Sequence, residues 1–157
     1  SCYNQFRKRA SLSSSSLSIV SELKSGSAWY VPGGCSTIGR LFNDACGRYA
    51  FAGDKHSGSI PLAFETVFDK AGDADVWTIK YNRDRDMTYS DLKADYIGYT
   101  GFKAFKTRNI YGCNTAKVPF YEETPFRPDY LLSDLIQILH PEIGDLGGLR
   151  YFCKLNE

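Results

Sequence analysis

Acid–base or nucleophilic chemistry near neutral pH needs a base, and the chain offers two histidines, His56 and His140. His56 lies in the polar run Gly53-Asp54-Lys55-His56-Ser57-Gly58-Ser59, so Ser57 places a hydroxyl beside an imidazole. No G-x-S-x-G elbow surrounds that serine, and no acid is spaced to complete a triad. A surface loop accounts for the pair better, and a small α/β hydrolase or transferase using Ser57 and His56 stands as the enzyme alternative. His140 directly precedes Pro141 at the end of an apolar helical pattern, where an imidazole suits the last carbonyls of a helix. The sequence has no H-E-x-x-H, no P-loop lysine and no G-x-G-x-x-G. Five cysteines, Cys2, Cys35, Cys46, Cys113 and Cys153, are odd in number and lack C-x-x-C spacing. That argues against a metal centre, zinc above all, and leaves any disulfide pairing open.

Binding chemistry is better supplied. Phe, Trp and Tyr make up 15% of the 157 residues, which points to a surface able to grip a flat or bulky ligand. Trp29 and Tyr30 precede a Gly33-Gly34 turn, Tyr81 and Arg83 follow the strongest strand pattern, and Asn114 follows Tyr111-Gly112-Cys113. Three strand ends would thus bring rings, an amide and a guanidinium together, a set suited to stacking on a conjugated ligand and hydrogen-bonding its carboxylates or amides. The same rings could simply pack beneath loops. Gly33-Gly34 before a helix would serve an anion through backbone N–H groups or make a tight turn equally well. Glu65, near a helix start, gains from the macrodipole and is available either to solvent or to an arginine of a partner.

These residues need elements to position them. Tyr3, Phe6 and Lys8 read as the end of a helix, and Ser11–Ser18 as a mobile connection. The chain begins without Met and in mid-pattern, which reads as a processed protein or part of a longer one. Leu17-Ser18-Ile19-Val20 and Trp29-Tyr30-Val31 give two extended pieces around a polar turn. Ser36 caps a helix whose Ile38, Leu41, Phe42 and Ala45 fall at i, i+3, i+4 and i+7. Tyr49–Ala52 reads as a brief extended run, and Pro61 as the first turn of a helix closing at Gly72. Asp75–Tyr81, rich in β-branched and aromatic residues, reads as a central strand. A helix capped by Thr88 or Ser90, a strand over Asn109–Cys113, a surface loop over Asn114–Pro128 and a doubly apolar helix from Pro128 to His140 complete the pattern. Alternating strands and helices indicate a single α/β unit, a three-layer sandwich with a largely parallel central sheet. Ligands of such sheets meet the loops beyond the strands' carboxyl ends, here Tyr30–Gly34, Tyr81–Asp86 and Cys113–Lys117.

A net charge of +1 removes any global field for nucleic acid or anionic lipid, and no apolar run is long enough to span a bilayer. Trp29-Tyr30-Val31-Pro32-Gly33-Gly34, Pro61–Glu65 with Ala74–Trp77, Arg108–Asn114 and Pro128–Leu132 leading to His140-Pro141-Glu142 form, in that order and spacing, a familiar series. It resembles the C-terminal lobe of periplasmic substrate-binding proteins of ABC importers for iron complexes, haem and vitamin B12, particularly the Bacteroidetes lipoprotein type. The resemblance implies two α/β lobes joined by a long helix, with residues 1–16 as the end of that helix and its connection and 17–157 as the C-terminal lobe. It further implies no enzyme activity and no cofactor. The implied role is a monomer that captures a ferric siderophore, haem or cobalamin and delivers it to inner-membrane permease subunits, in the periplasm, either free or membrane-anchored as a lipoprotein. By the same resemblance Trp29, Tyr30, Tyr81, Arg83 and Asn114 become ligand contacts, and Glu65 the acid that pairs with permease arginines. His56 or Tyr30 would serve a haem iron, and an aromatic-faced protein-interaction module is the remaining alternative.

Overall fold

The computed structural model describes residues 1–157. Helix α1 (Cys2–Ser11) leads into strand β1 (Ser18–Ser21), a short hairpin of β2 (Lys24–Ser25) and β3 (Ala28–Pro32), helix α2 (Thr37–Asp44) and strand β4 (Arg48–Tyr49). Strand β5 (Ser59–Leu62), helix α3 (Phe64–Ala71), the central strand β6 (Val76–Tyr81) and helix α4 (Tyr89–Asp95) follow. A 3₁₀ turn (Ile97–Gly101), helix α5 (Lys103–Lys106), strand β7 (Ile110–Asn114), helix α6 (Phe120–Glu123), helix α7 (Pro128–Leu139) and strand β8 (Cys153–Lys154) complete the chain. No helix is long and apolar enough to cross a membrane.

The main sheet runs β4-β1-β6-β7-β8, parallel throughout except for β8, which pairs antiparallel with β7. This is the largely parallel α/β sheet that the alternation of patterns calls for, with β6 at its centre. Side chains alternate across β6. Trp77 packs toward Trp29 and Phe102, with ring centroids 5.8 and 4.9 Å away, whereas Thr78 and Lys80 face Phe42 of α2 and Leu131 and Leu135 of α7. α1 and α2 both lie on α7 and complete that layer. Ser36 caps α2 as its spacing implies, its hydroxyl accepting the Gly39 N–H at 3.0 Å. Thr88 and Asp91 form a reciprocal capping box on α4.

Three local readings are corrected. The Trp29 run does not join the parallel sheet; β3 is the middle of a separate antiparallel sheet, β2-β3-β5. Pro61 does not open a helix, because it lies in the edge strand β5 opposite Tyr30, where a missing N–H is tolerated, and α3 starts at Phe64. Of the Tyr49–Ala52 run only Tyr49 lies in a strand, and the chain then turns.

The opening helix is fastened to the sandwich. Tyr3 donates its hydroxyl proton to Asp44 at 2.5 Å, Arg9 pairs with Asp145, and the Ser13 and Ser15 hydroxyls both donate to Glu142. On the far side of α7, the buried Asp134 carboxylate accepts the backbone N–H groups of Arg150, Tyr151 and Phe152 at 2.8, 2.8 and 3.2 Å. That clamp seats the segment leading into β8.

Candidate functional site

At the carboxyl ends of β1 and β6 the chain forms a cleft of about 550 Å³. Its walls come from the β1–β2 connection (Glu22), the start of β2 (Lys24), the outer face of β3 (Tyr30), the start of α2 (Ser36, Thr37), the end of β6 (Lys80) and Tyr121 of α6. Such a position is where an open parallel sheet receives a ligand.

Each wall residue has a local cause. In β3, Trp29 and Val31 point inward and are buried, so strand alternation turns Tyr30 outward, half exposed, into the cleft. Glu22 directly follows β1 with a φ of +74°, a left-handed backbone unusual for a residue with a side chain. Two bonds hold it there: its N–H donates to the Thr78 carbonyl and its carbonyl accepts the Trp77 indole N–H, both at 2.9 Å. The Glu22 carboxylate thereby meets the Lys80 ammonium at 2.8 Å, with both side chains about one-fifth exposed. Lys80 also lies 5.1 Å from the centre of the Phe120 ring. Lys24 donates to the Gly26 carbonyl at 2.7 Å and sits 4.5 Å over the Tyr96 ring, with no carboxylate within 4.0 Å. Beneath the Glu22–Lys80 pair the hydroxyl of Ser21 is buried without a protein partner.

Of the residues expected to contact a ligand, the cleft receives only Tyr30. Trp29 is fully buried and forms the centre of an aromatic cluster with Phe64, Trp77, Tyr99 and Phe102, its indole N–H donating to the Ser21 carbonyl at 2.9 Å. It offers a ligand no surface, so its assignment to binding is corrected. Much of the aromatic surplus is spent in that cluster rather than on an exterior face. Tyr81 lies one residue past Lys80 and therefore on the opposite face of β6, where it shares a smaller recess of about 220 Å³ with Asn114. Its hydroxyl oxygen accepts the Met87 N–H at 2.9 Å, and burial raises its pKa. Asn114 is buried and bonded to the Arg83 backbone on both sides of its amide, with further bonds to Asp86 and Ala116. Arg83 itself pairs with Asp95 at 2.8 Å on the surface. These three residues stitch the ends of β6 and β7 together, away from the cleft.

The other candidates also find their places. His56 Nδ1 faces Asp54 Oδ1 at 2.8 Å rather than Ser57, on the exposed loop, and neither His56 nor Ser57 lines the cleft. His140 is fully buried at the end of α7, and instead of serving its own helix its Nε2 lies 2.7 Å from the Ala45 carbonyl beyond α2. Gly33 and Gly34 are explained by contact: a Cβ on Gly34 would fall 2.2 and 2.3 Å from the carbonyl oxygens of Ala52 and Asp54. The Gly33 N–H is already given to the Gly58 carbonyl. The pair is a bed for the 52–58 loop, not an anion site. Glu65 stands exposed in the first turn of α3. All five cysteines are free, and no three His, Cys, Asp or Glu side chains converge as metal ligands would.

A family described as periplasmic binding protein matches residues 5–116. The chain belongs to the periplasmic binding protein family. Members of this family are substrate-binding components of ABC transporters and not enzymes. Over 128 residues the chain is 31% identical to an uncharacterized lipoprotein of Methanocaldococcus jannaschii, a match covering 81% of this chain and 30% of the relative. Among solved structures, the TroA-like periplasmic binding protein FepB of Veillonella parvula superposes with a TM-score of 0.68 at 15% identity, covering 99% of this chain and 53% of that one. The periplasmic vitamin B12 binding protein BtuF of Vibrio cholerae gives a TM-score of 0.60 at 11% identity, over 88% of this chain and 49% of its own. The chain therefore spans less than a third of its curated relative and about half of the solved proteins it matches. Membership confirms the resemblance to periplasmic binding proteins.

Sequence reading missed Glu22, Lys24, Lys80, Thr37 and Tyr121. The usable signal was period-two alternation: adjacent residues of a strand cannot share a face, so Trp29 and Tyr30 could not both be contacts. No such signal existed for Lys80, because β6 is packed on both faces and its inward run does not alternate.

Proposed function

We propose that this chain is the C-terminal lobe of a solute-binding component of an ABC importer, capturing a metal chelate such as a ferric siderophore, haem or cobalamin and handing it to a membrane permease. The observation that carries this reading is the 550 Å³ cleft at the carboxyl edge of the parallel sheet, in a chain of this family. Residues 1–16 would close the helix leading from the second lobe and 17–157 would form this one, the cleft facing its counterpart. Tyr30 is the aromatic contact retained from the sequence, joined by Lys24, Lys80 and Tyr121; Tyr81, Arg83 and Asn114 would support the wall. Glu65, exposed and ahead of the α3 dipole, is the docking acid for a permease arginine. The lipoprotein name of the archaeal relative supports an extracytoplasmic, lipid-anchored protein.

Equilibrium titration with haemin, cyanocobalamin and ferric citrate, followed by tryptophan and tyrosine quenching, tests the reading. Saturable binding of one chelate that weakens on Tyr30→Ala is expected. Saturable binding unaffected by Tyr30→Ala, or no binding by the two-lobed protein, would overturn it.

A further inference from the structure

Resting on that solute-binding reading, we infer that the cleft selects an anionic chelate, one presenting carboxylate groups, and that Glu22 is a built-in competitor which the ligand's anion must displace from Lys80. The charges lining the cleft are two lysines and one glutamate, the remainder being hydroxyl, phenol and apolar groups. Lys24 has no carboxylate partner and holds its ammonium against a carbonyl and the face of Tyr96. Lys80 is mostly withdrawn from solvent and fully engaged by Glu22. An ammonium in that setting is worth more to an incoming anion than an exposed one, because desolvation strengthens the charge interaction.

The backbone shows that the Glu22 placement is specific. A left-handed residue with a side chain persists only where surrounding contacts impose it, and here the Thr78 carbonyl and Trp77 indole do so. An extended residue at this point would carry the carboxylate elsewhere and leave Lys80 free. With Glu22 seated on it, Lys80 is neutralised in the unliganded lobe and is not left as an open charge for any small anion. A chelate bearing a suitably spaced carboxylate would exchange for Glu22, with Lys24 across the cleft taking a second anionic group and the rings of Tyr30 and Tyr121 flanking the body of the ligand. Glu22 would then set selectivity, accepting multidentate anions and rejecting uncharged or cationic chelates that cannot compete.

The test is an amide chemical-shift titration of the 157-residue chain and its variants with haemin, ferric citrate and cyanocobalamin. The proposal expects haemin or ferric citrate to bind at the Glu22, Lys24 and Lys80 amides, with affinity falling as salt rises. Glu22→Gln, which frees Lys80, should tighten that binding about three- to tenfold and leave cyanocobalamin unchanged. Lys24→Gln, a surface change that spares the fold, should weaken it by a similar factor. Unchanged or weaker anion binding in Glu22→Gln, with the variant melting like the parent, would overturn the competitor role. Tighter binding of uncharged cyanocobalamin than of either anion would overturn the anionic selectivity while leaving the solute-binding reading intact. Failure of haemin and ferric citrate to perturb the Glu22, Lys24 or Lys80 amides would overturn the proposal, and the solute-binding reading would then be decided by the titration of the two-lobed protein.

Discussion

Replacing Trp29 by Phe separates the two roles this residue has been given. The indole is fully buried, stacks on Trp77 at 5.8 Å, meets Phe102, Tyr99 and Phe64 within about 6 Å, and donates to the Ser21 carbonyl. Phenylalanine keeps one ring but leaves a void and removes the donor. A partial large-to-small cavity cost of about 1–2 kcal/mol and a lost buried hydrogen bond of about 1–2 kcal/mol place the destabilisation at about 2–4 kcal/mol. For a chain of this length that is a fall in melting temperature of about 5–15 °C. Urea unfolding followed by circular dichroism measures it, and native-state chelate affinity is measured in parallel well below the transition. The core reading requires a lowered urea midpoint with affinity changed little. An unchanged midpoint accompanied by a collapse of affinity would refute it and return Trp29 to the cleft wall.

Three further outcomes follow from the same structure. Glu65→Ala should leave stability within about 0.5 kcal/mol, as an exposed helix residue does, while abolishing stimulation of a reconstituted cognate permease; normal stimulation would remove Glu65 from docking. The Ser13 and Ser15 hydroxyls hold the Glu142 carboxyl down to about 2 from an ordinary 4.5, so that clamp is complete above pH 4.5 and is lost as pH falls toward 2. Amide protection at residues 13–15, taken relative to intrinsic exchange at each pH, should fall over that range, and Glu142→Gln should show the lower protection at pH 7 with no further acid step. Burial pushes the Cys113 thiol up to about 12, so an aromatic disulfide reagent at pH 8 should modify Cys2, Cys35, Cys46 and Cys153 in the native state and reach Cys113 only on unfolding.

The elements whose local signals agree with their packing were legible. α2 carries a serine cap and an i, i+3, i+4, i+7 apolar set, β6 is rich in β-branched and aromatic residues, and α7 opens on Pro128 with apolar residues all round. Pro61 misled because the same residue suits the first turn of a helix and the rim of a sheet, and only the pairing with Tyr30 decides between them. The place of the site was readable from the rule of strand carboxyl ends, but its residues were not. Glu22 reaches Lys80 through a backbone conformation that no residue type announces, and the choice between Lys80 and Tyr81 depends on which face of a doubly covered strand meets α2 and α7. Aromatic abundance was read as a surface, whereas Trp29, Trp77 and Phe102 stack on one another inside.

If solute enters the cleft between Tyr30 and Lys80, it lies on one side of β6. Co-crystallisation of the two-lobed protein with its tightest-binding chelate measures this most directly. Electron density for the chelate is expected against Tyr30, Lys24, Lys80 and Tyr121; density seated instead on Tyr81 and Asn114, across the strand, would place the site on the wrong face and refute the cleft.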